Sequence, residues 1–463
     1  MEKYYISSQP KKVPLVETKH RKIKTEIPAP GTDELMSRLS RVESRSMHGQ
    51  LPLVWYKAKD EYVFDHKDNK WIDFTSAIFL ANIGHSNDTL SKAVNERLFD
   101  SVYSCYSYPN NKRAEYLEEL IKFAGHPFEK AFLMSSGTEA TEAAFKLMRM
   151  QGKKIGKRRG GIICFDGNWH GRTLGAQMMG GNASQKEWIG NQDIDIHHLP
   201  FPYPWTENKK GNVEFLYESL SKLESQGLNL NHDFCGFMLE AFQGWGAVFY
   251  PKEFVKEIEI ICNKYKLVLA FDEMQSGFGR TGTNFGYKHY NVEPDLICLG
   301  KGMGGGVPLS GVLGKKELLD LPEIGNMSST HSANPLVCSA GLAVLSELKN
   351  RNLVYESKRK GDILHSSLKN IKNNSKGKIS HVLGKGLIAA VLFQDVSSNL
   401  PDGAFASKVV ERCMQKGLLL VHTGRESIKI GPPLVISDNA LNEGLKVFED
   451  SINEILNEIL NES

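Results

Sequence analysis

Five short apolar runs recur at residues 131–134, 161–165, 234–239, 267–271 and 296–299, with stretches of helical spacing between them. A strand that is apolar at every position has both faces covered. Such strands alternating with helices specify a mostly parallel sheet between two helical layers, an α/β fold. Ligands in an open sheet of this kind bind beyond the carboxyl ends of the strands. The residues that follow the runs are Ser135-Ser136, Asp166, Glu240, Asp272 and Gly300-Lys301. The sheet alone therefore brings acids, a lysine and a loop of small residues to one edge.

At 463 residues the chain is too long for one ordinary core. A large sheet domain is expected over 101–334. A smaller α+β domain is expected from both termini, with 31–100 as its first part and 335–463 as its second. In the first part, Tyr62-Val63-Phe64 and Trp71-Ile72-Asp73 flank a polar turn and read as a hairpin, and Thr32 or Asp33 is a candidate cap for a helix over 34–43. Residues 1–30 are Lys-rich, end in Pro28-Ala29-Pro30, lack the apolar core of a signal peptide and read as a flexible tail.

The formal net charge is only +3, which gives no reason to expect a nucleic acid or an anionic membrane as partner. No apolar run approaches the roughly 20 residues of a membrane span. The seven cysteines contain no Cys-x-x-Cys pair and several sit in apolar runs. They read as reduced, buried thiols of a cytoplasmic protein, with no metal site.

Lys301 follows an apolar strand and precedes Gly302-Met303-Gly304-Gly305-Gly306. A lysine held away from bulk water has a depressed pKa, as a Schiff-base nucleophile requires; taken singly, it also reads as a surface lysine in a glycine loop. The segment Gly300-x-Gly302-x-x-Gly305 matches a dinucleotide fingerprint, yet it leads into Val307-Pro308-Leu309-Ser310, a turn and strand where that motif needs a helix. Asp272 ends a strand, where a buried carboxylate can keep a pyridine nitrogen protonated or simply cap the next segment. Gln275 is within reach of the same ring. Ser136-Gly137-Thr138-Glu139 opens a helix after a strand, which suits either a phosphate or a capping box. Trp169 at a third strand end can stack on a flat ring or pack a loop.

In this order, phosphate loop, aromatic, acid and lysine, the chain resembles the class III (ω-amino) aminotransferases of pyridoxal phosphate (PLP) fold type I. The similarity is carried by Asn82-Ile83-Gly84-His85, Ser136-Gly137-Thr138-Glu139-Ala140, Gly167-Asn168-Trp169-His170-Gly171-Arg172, the segment from Asp272-Glu273-Met274-Gln275 through Gly282, and Leu299-Gly300-Lys301-Gly302. The resemblance implies PLP as cofactor, bound covalently to Lys301. It implies Asp272 on the ring nitrogen, Trp169 on the ring face, and Ser136, Gly137 and Thr138 at the phosphate. It also implies a homodimer in which Thr330 reaches the phosphate of the neighbouring subunit's site. Arg172 matches an arginine that binds the distal carboxylate of an ω-amino acid in some members and is structural in others.

Two positions depart from the members that act on ornithine or 4-aminobutyrate. Their Glu five residues after the first acid of Glu-Pro-x-Gln-Gly-Glu is Trp245 here, in Glu240-Ala241-Phe242-Gln243-Gly244-Trp245. Their arginine three residues before Pro-Pro is Lys429. An ammonium does not reproduce a bidentate guanidinium clamp, and Trp245 suits a bulkier or less charged substrate. Arg425 is a candidate carboxylate partner or a plain loop arginine. Phe79, Tyr106, Trp169, Arg172 and Trp245, with Glu240, are candidates for the substrate lining. The expected activity is amino transfer from an amine or ω-amino acid to a keto or aldehyde acceptor. The same cofactor residues also serve an aminomutase of the glutamate-1-semialdehyde type, a decarboxylating transaminase or a phospho-lyase. A non-catalytic subunit on this fold is a further alternative, one that predicts loss of the lysine or the acid.

Overall fold

The computed structural model describes residues 6–47, 51–100, 102–205 and 212–462. The chain divides into two compact units. One is 88–244 with 248–354; the other is 1–87, 245–247 and 355–463.

Among the described residues, the large sheet of the first unit has seven strands: β1 (Lys130–Met134), β2 (Gly161–Phe165), β3 (Ile196–Leu199), β4 (Phe234–Glu240), β5 (Val268–Asp272), β6 (Leu296–Leu299) and β7 (Ser310–Gly314). They form one sheet in the order β1-β7-β6-β5-β4-β2-β3. Only β7 runs antiparallel to its neighbours, and the other pairings are parallel. Side chains alternate between the faces as strand geometry demands. Ile162, Cys164, Val268, Ala270, Leu296 and Cys298 share one core with Ala140, Ala144, Leu147 and Met148 of helix α1 (Gly137–Lys154). On the other face Phe165 packs edge-on against Phe254 of helix α2 (Lys252–Tyr265), and Phe271 stacks on Tyr290. Both faces are thus covered, which is why the strands read as unbroken apolar runs.

After β6 the chain makes a single tight turn over Lys301–Met303 and then enters β7. The glycine-rich segment opens no helix, so the dinucleotide reading is excluded by geometry as well as by sequence. The helix Pro335–Asn350 packs against Asp88–Asp100 and Asn111–Ala124. The larger unit therefore takes in 88–100 and 335–354 beyond the expected 101–334, and leaves out 245–247.

In the second unit Tyr62–Phe64 and Lys70–Asp73 pair as the expected hairpin. The segment expected to be a flexible tail joins the same sheet through Val16–Glu17 and Lys22–Ile23. Its Ile23 and Ile27 are buried beside Val63 and Trp71; two isoleucines and a strand pairing outweigh the lysines around them. Met1–Tyr5 lie outside the described residues. The helix expected over 34–43 spans Thr32–Val42, and Gly31 stands at its N-cap with no side-chain cap hydrogen bond. A second sheet of Ile379–Lys385, Ile388–Phe393, Ser427–Ile430 and Val421–His422 is antiparallel throughout.

Candidate active site

The carboxyl ends of β1, β2, β4, β5 and β6 meet around a cavity of about 180 Å3, lined by Gly137, Thr138, Trp169, His170, Gly171, Glu240, Asp272, Met274, Gln275 and Lys301. Six of the residues singled out from the sequence for cofactor contact line this one cavity: Gly137, Thr138, Trp169, Asp272, Gln275 and Lys301. Ser136 is the N-cap residue immediately before them.

Lys301 sits at φ +44, a left-handed conformation that non-glycine residues seldom adopt. Gly300 leads into it at φ 178, extended backbone. Burial pushes the Lys301 ammonium below the ordinary lysine value, and the negative charges of Asp272 and Glu240 oppose this to a lesser degree. A larger share of neutral amine results, which is the nucleophilic form.

Asp272 is anchored on both oxygens. Oδ1 accepts the Met274 backbone N–H at 3.0 Å and Oδ2 lies 3.0 Å from His170 Nδ1. The adjacent Glu273 is fully buried and accepts the Gly286 and Tyr287 N–H groups at 2.7 and 2.6 Å. Burial raises its carboxyl to about 7. Asp272 faces the cavity while Glu273 ties the segment to the turn Gly286–Tyr290.

At the start of α1, Glu139 reaches back to accept the Ser136 N–H at 2.6 Å and the Ser135 N–H at 3.1 Å. The first-turn amides of a helix have no partner within it, so Gly137 and Thr138 offer N–H groups and a favourable dipole to an anion. Thr138 Oγ1 is 2.6 Å from Thr173 Oγ1. A Cβ on Gly171 would fall 2.3 Å from Thr138 Oγ1, so Gly171 must be glycine for the loop to approach this closely.

Trp169 is held by its backbone N–H on Glu240 Oε2 at 2.9 Å, and the Arg172 guanidinium covers one face of its ring at 4.5 Å. Gln275 Nε2 lies 3.5 Å from Glu240 Oε1. Glu240, considered from sequence as a substrate contact, thus holds the Trp169 backbone and lies against Gln275.

Tyr106 lines a separate cavity with Arg113 and Met327, and Thr330 is exposed. Phe79, Trp245, Arg425 and Lys429 belong to the other unit. There the Arg425 guanidinium stacks on the Trp245 ring at 3.9 Å and the Lys429 ammonium lies 5.0 Å from the Phe79 ring centre. Arg425 also pairs with Glu426 at 3.3 Å. His170 and Met274 carry no role on the sequence reading. The strand-end position of Trp169-His170 and the neighbour relation of β2, β4 and β5 are the signals that could have revealed the contact with Asp272.

An amine of lowered pKa, a buried carboxylate, first-turn amides and an aromatic face form a donor set suited to a phosphorylated pyridine aldehyde such as PLP. The comparisons with known proteins agree. Residues 44–452 match the family model "Aminotransferase class-III". The acetylornithine aminotransferase of Caldanaerobacter subterraneus is 30% identical over 88% of this chain and 96% of its own length. The alanine/serine racemase of Pyrococcus horikoshii is 31% identical over 94% of this chain and 93% of its own. A Bacillus anthracis aminotransferase structure superposes with a TM-score of 0.83 at 25% identity, covering 91% of this chain and 98% of that one. A match spanning most of the chain, on the fold and cavity described above, establishes that this protein belongs to the class III aminotransferases of fold type I.

Proposed function

We propose that this aminotransferase takes its amino group from an amine or an ω-amino acid and passes it to a keto or aldehyde acceptor, with PLP bound covalently to Lys301. When bound, PLP supplies an electron sink for the charge left when a proton leaves the substrate carbon. Asp272 balances the charge on the ring nitrogen, and Trp169 and Gln275 bear on the ring. Ser136, Gly137 and Thr138 receive the phosphate. Lys301 supplies the amine and moves the substrate proton.

The donor class is carried by one observation. Trp245 and Lys429 replace the acid and the arginine of the glutamate-using pattern, and each is engaged in a cation–π pair, with Arg425 and Phe79. Arg425 is the carboxylate-binding candidate of the pair, Arg172 the other. The test is a panel of monoamines, ω-amino acids and α-amino acids, each followed through the change in visible absorbance of the bound cofactor. Monoamines or ω-amino acids are expected to react at least tenfold faster than glutamate, a difference of about 1.4 kcal/mol in barrier. Reaction with α-amino acids alone would overturn the donor class. The relative named as a racemase makes a second readout worthwhile: loss of optical activity without any keto acid would assign a non-transfer reaction.

A cytoplasmic homodimer is part of the same reading. The cavity holding Tyr106 also takes in Ile324 and Met327. Tyr106, Ile324 and the nearby Val102, Tyr103 and Tyr108 leave large apolar side chains exposed, and apolar surface of this kind favours a protein partner. A second copy would bring Thr330 to its neighbour's phosphate. Sedimentation at micromolar concentration is expected to give a dimer of the 51.8 kDa chain; a monomer that turns over substrate would contradict the shared site.

A further inference from the structure

We infer that His170 is a positioning residue for Asp272, and that a one-way chain of hydrogen bonds from Tyr203 through Gln243 and Asn168 fixes its imidazole as the neutral form protonated on Nδ1. The inference rests on Asp272 serving the ring nitrogen of PLP.

The direction of every bond follows from what each atom can do. Gln243 Nε2 faces two oxygens, the Asp166 carbonyl and Asn168 Oδ1, the latter at 3.4 Å. A carbonyl carries no proton, so the nitrogen donates and the Gln243 amide has one orientation. Its Oε1 then accepts from Tyr203 Oη at 2.5 Å. With Asn168 Oδ1 turned to Gln243, Asn168 Nδ2 faces His170 Nε2 at 3.4 Å. An amide nitrogen does not accept hydrogen bonds, so His170 Nε2 is the acceptor and bears no proton. The ring proton is on Nδ1, 3.0 Å from Asp272 Oδ2.

Gln243, Asn168, His170 and Asp272 are all buried, so water does not compete for these atoms. Tyr203, at the far end, is partly exposed and stacks on Trp205 at 4.9 Å. Gly167 is part of the device. At φ +80 it turns the chain beneath the network, and a Cβ there would sit 2.9 Å from Gln243 Nε2 and from Tyr203 Oη.

Along the path Tyr203–Gln243–Asn168–His170 each donor points towards Asp272, while Gln243 Nε2 also donates to the Asp166 carbonyl. The chain presents positive dipole ends to the carboxylate and holds it in one orientation, and hydrogen-bond chains polarise in the same sense. A neutral imidazole does this without adding a full positive charge, which would compete with a protonated ring nitrogen for the same carboxylate.

The experiment has two arms. In the first, nitrogen NMR of histidine-labelled apoprotein reads the tautomer directly, with the His170 signal identified by its loss in His170→Gln. The expected result is one imidazole with a protonated Nδ1 and a bare Nε2; an Nε2–H tautomer or an imidazolium overturns the inference. The second arm compares PLP dissociation constants for His170→Phe and His170→Gln, with apoprotein melting curves as a folding control. Loss of a hydrogen bond to a charged group is expected to weaken PLP binding roughly tenfold to a hundredfold in His170→Phe. His170→Gln donates to Asp272 and accepts from Asn168, so it is expected to stay within about threefold of wild type. Equal PLP binding by His170→Phe and wild type would overturn the positioning role. Failure of the wild type to take up PLP would instead overturn the cofactor reading, and the apoprotein tautomer would still decide the inference.

Discussion

Lys301→Ala is expected to abolish covalent capture of PLP and to lower turnover by roughly ten-thousand-fold, the upper range for a positioned proton-transfer group. The reason is local. Lys301 alone among the described lysines lines the cavity of about 180 Å3 that also holds Asp272 and Trp169. Alanine leaves the cavity wall intact while removing both the amine and the proton carrier. Non-covalent PLP is expected to remain bound through Asp272, Thr138 and Trp169, so the measurement pairs turnover with borohydride trapping and peptide mapping. Wild type is expected to carry the trapped label on Lys301 and the variant none. Burial lowers the ammonium pKa, so the neutral amine predominates at a lower pH than the 10.5 of an ordinary lysine. PLP capture by wild-type apoprotein is accordingly expected to rise with pH and level off below that value. Label on another lysine, or full turnover in the variant, would refute the assignment.

Asp272→Ala is expected to be almost as damaging. On the proposed role it removes the charge opposite the ring nitrogen, and it strands two donors, the Met274 N–H and His170 Nδ1, in a buried site. Breaking a buried charge pair from one side costs about 3–5 kcal/mol. Activity is therefore expected to fall by roughly two to four orders of magnitude, with weaker PLP binding. Asp272→Asn keeps the shape and removes the charge. If the charge is what matters, its turnover is expected to fall nearly as far as that of the alanine variant while its melting temperature stays near wild type. Near-normal turnover in Asp272→Asn would show that Asp272 is structural.

The positions of both residues were legible because Asp272 closes a strand and Lys301 stands two residues past the end of one. The runs 161–165 and 296–299 are apolar at every position, and β2 and β6 occupy those residues. Lys301 and Asp272 follow or close such runs, and the topology of a parallel sheet brings their ends together. The edge strand Ile196–Leu199 was not legible, because His197 and His198 interrupt its apolar character. The N-terminal strands were hidden in a lysine-rich segment, where Ile23, Ile27 and Ala29 are driven into the core.

The turn Ser76–Phe79 was invisible for a different reason. All four of its residues have φ between +48 and +71, and none is glycine. Each left-handed residue costs roughly 1–2 kcal/mol, so local sequence argues against the conformation. Tertiary contacts oppose that cost. Ser76 Oγ donates to the Gly431 carbonyl at 2.6 Å, and the Phe79 ring fills the space a Cβ on Gly431 would need. The Trp245–Arg425 stack was equally out of reach, because the two residues lie far apart in sequence and meet only in the folded unit.

The central claim is amino transfer through PLP on Lys301, and a single-turnover experiment tests it most directly. Wild-type holoenzyme is mixed with a reactive amine donor in the absence of any acceptor, and carbonyl product is counted against bound PLP. The expected result is a loss of the visible band with one equivalent of carbonyl product per site, followed by recovery of the band when a keto acid is added. Continued product formation beyond one equivalent without an acceptor, or an unchanged band with every donor, would contradict it.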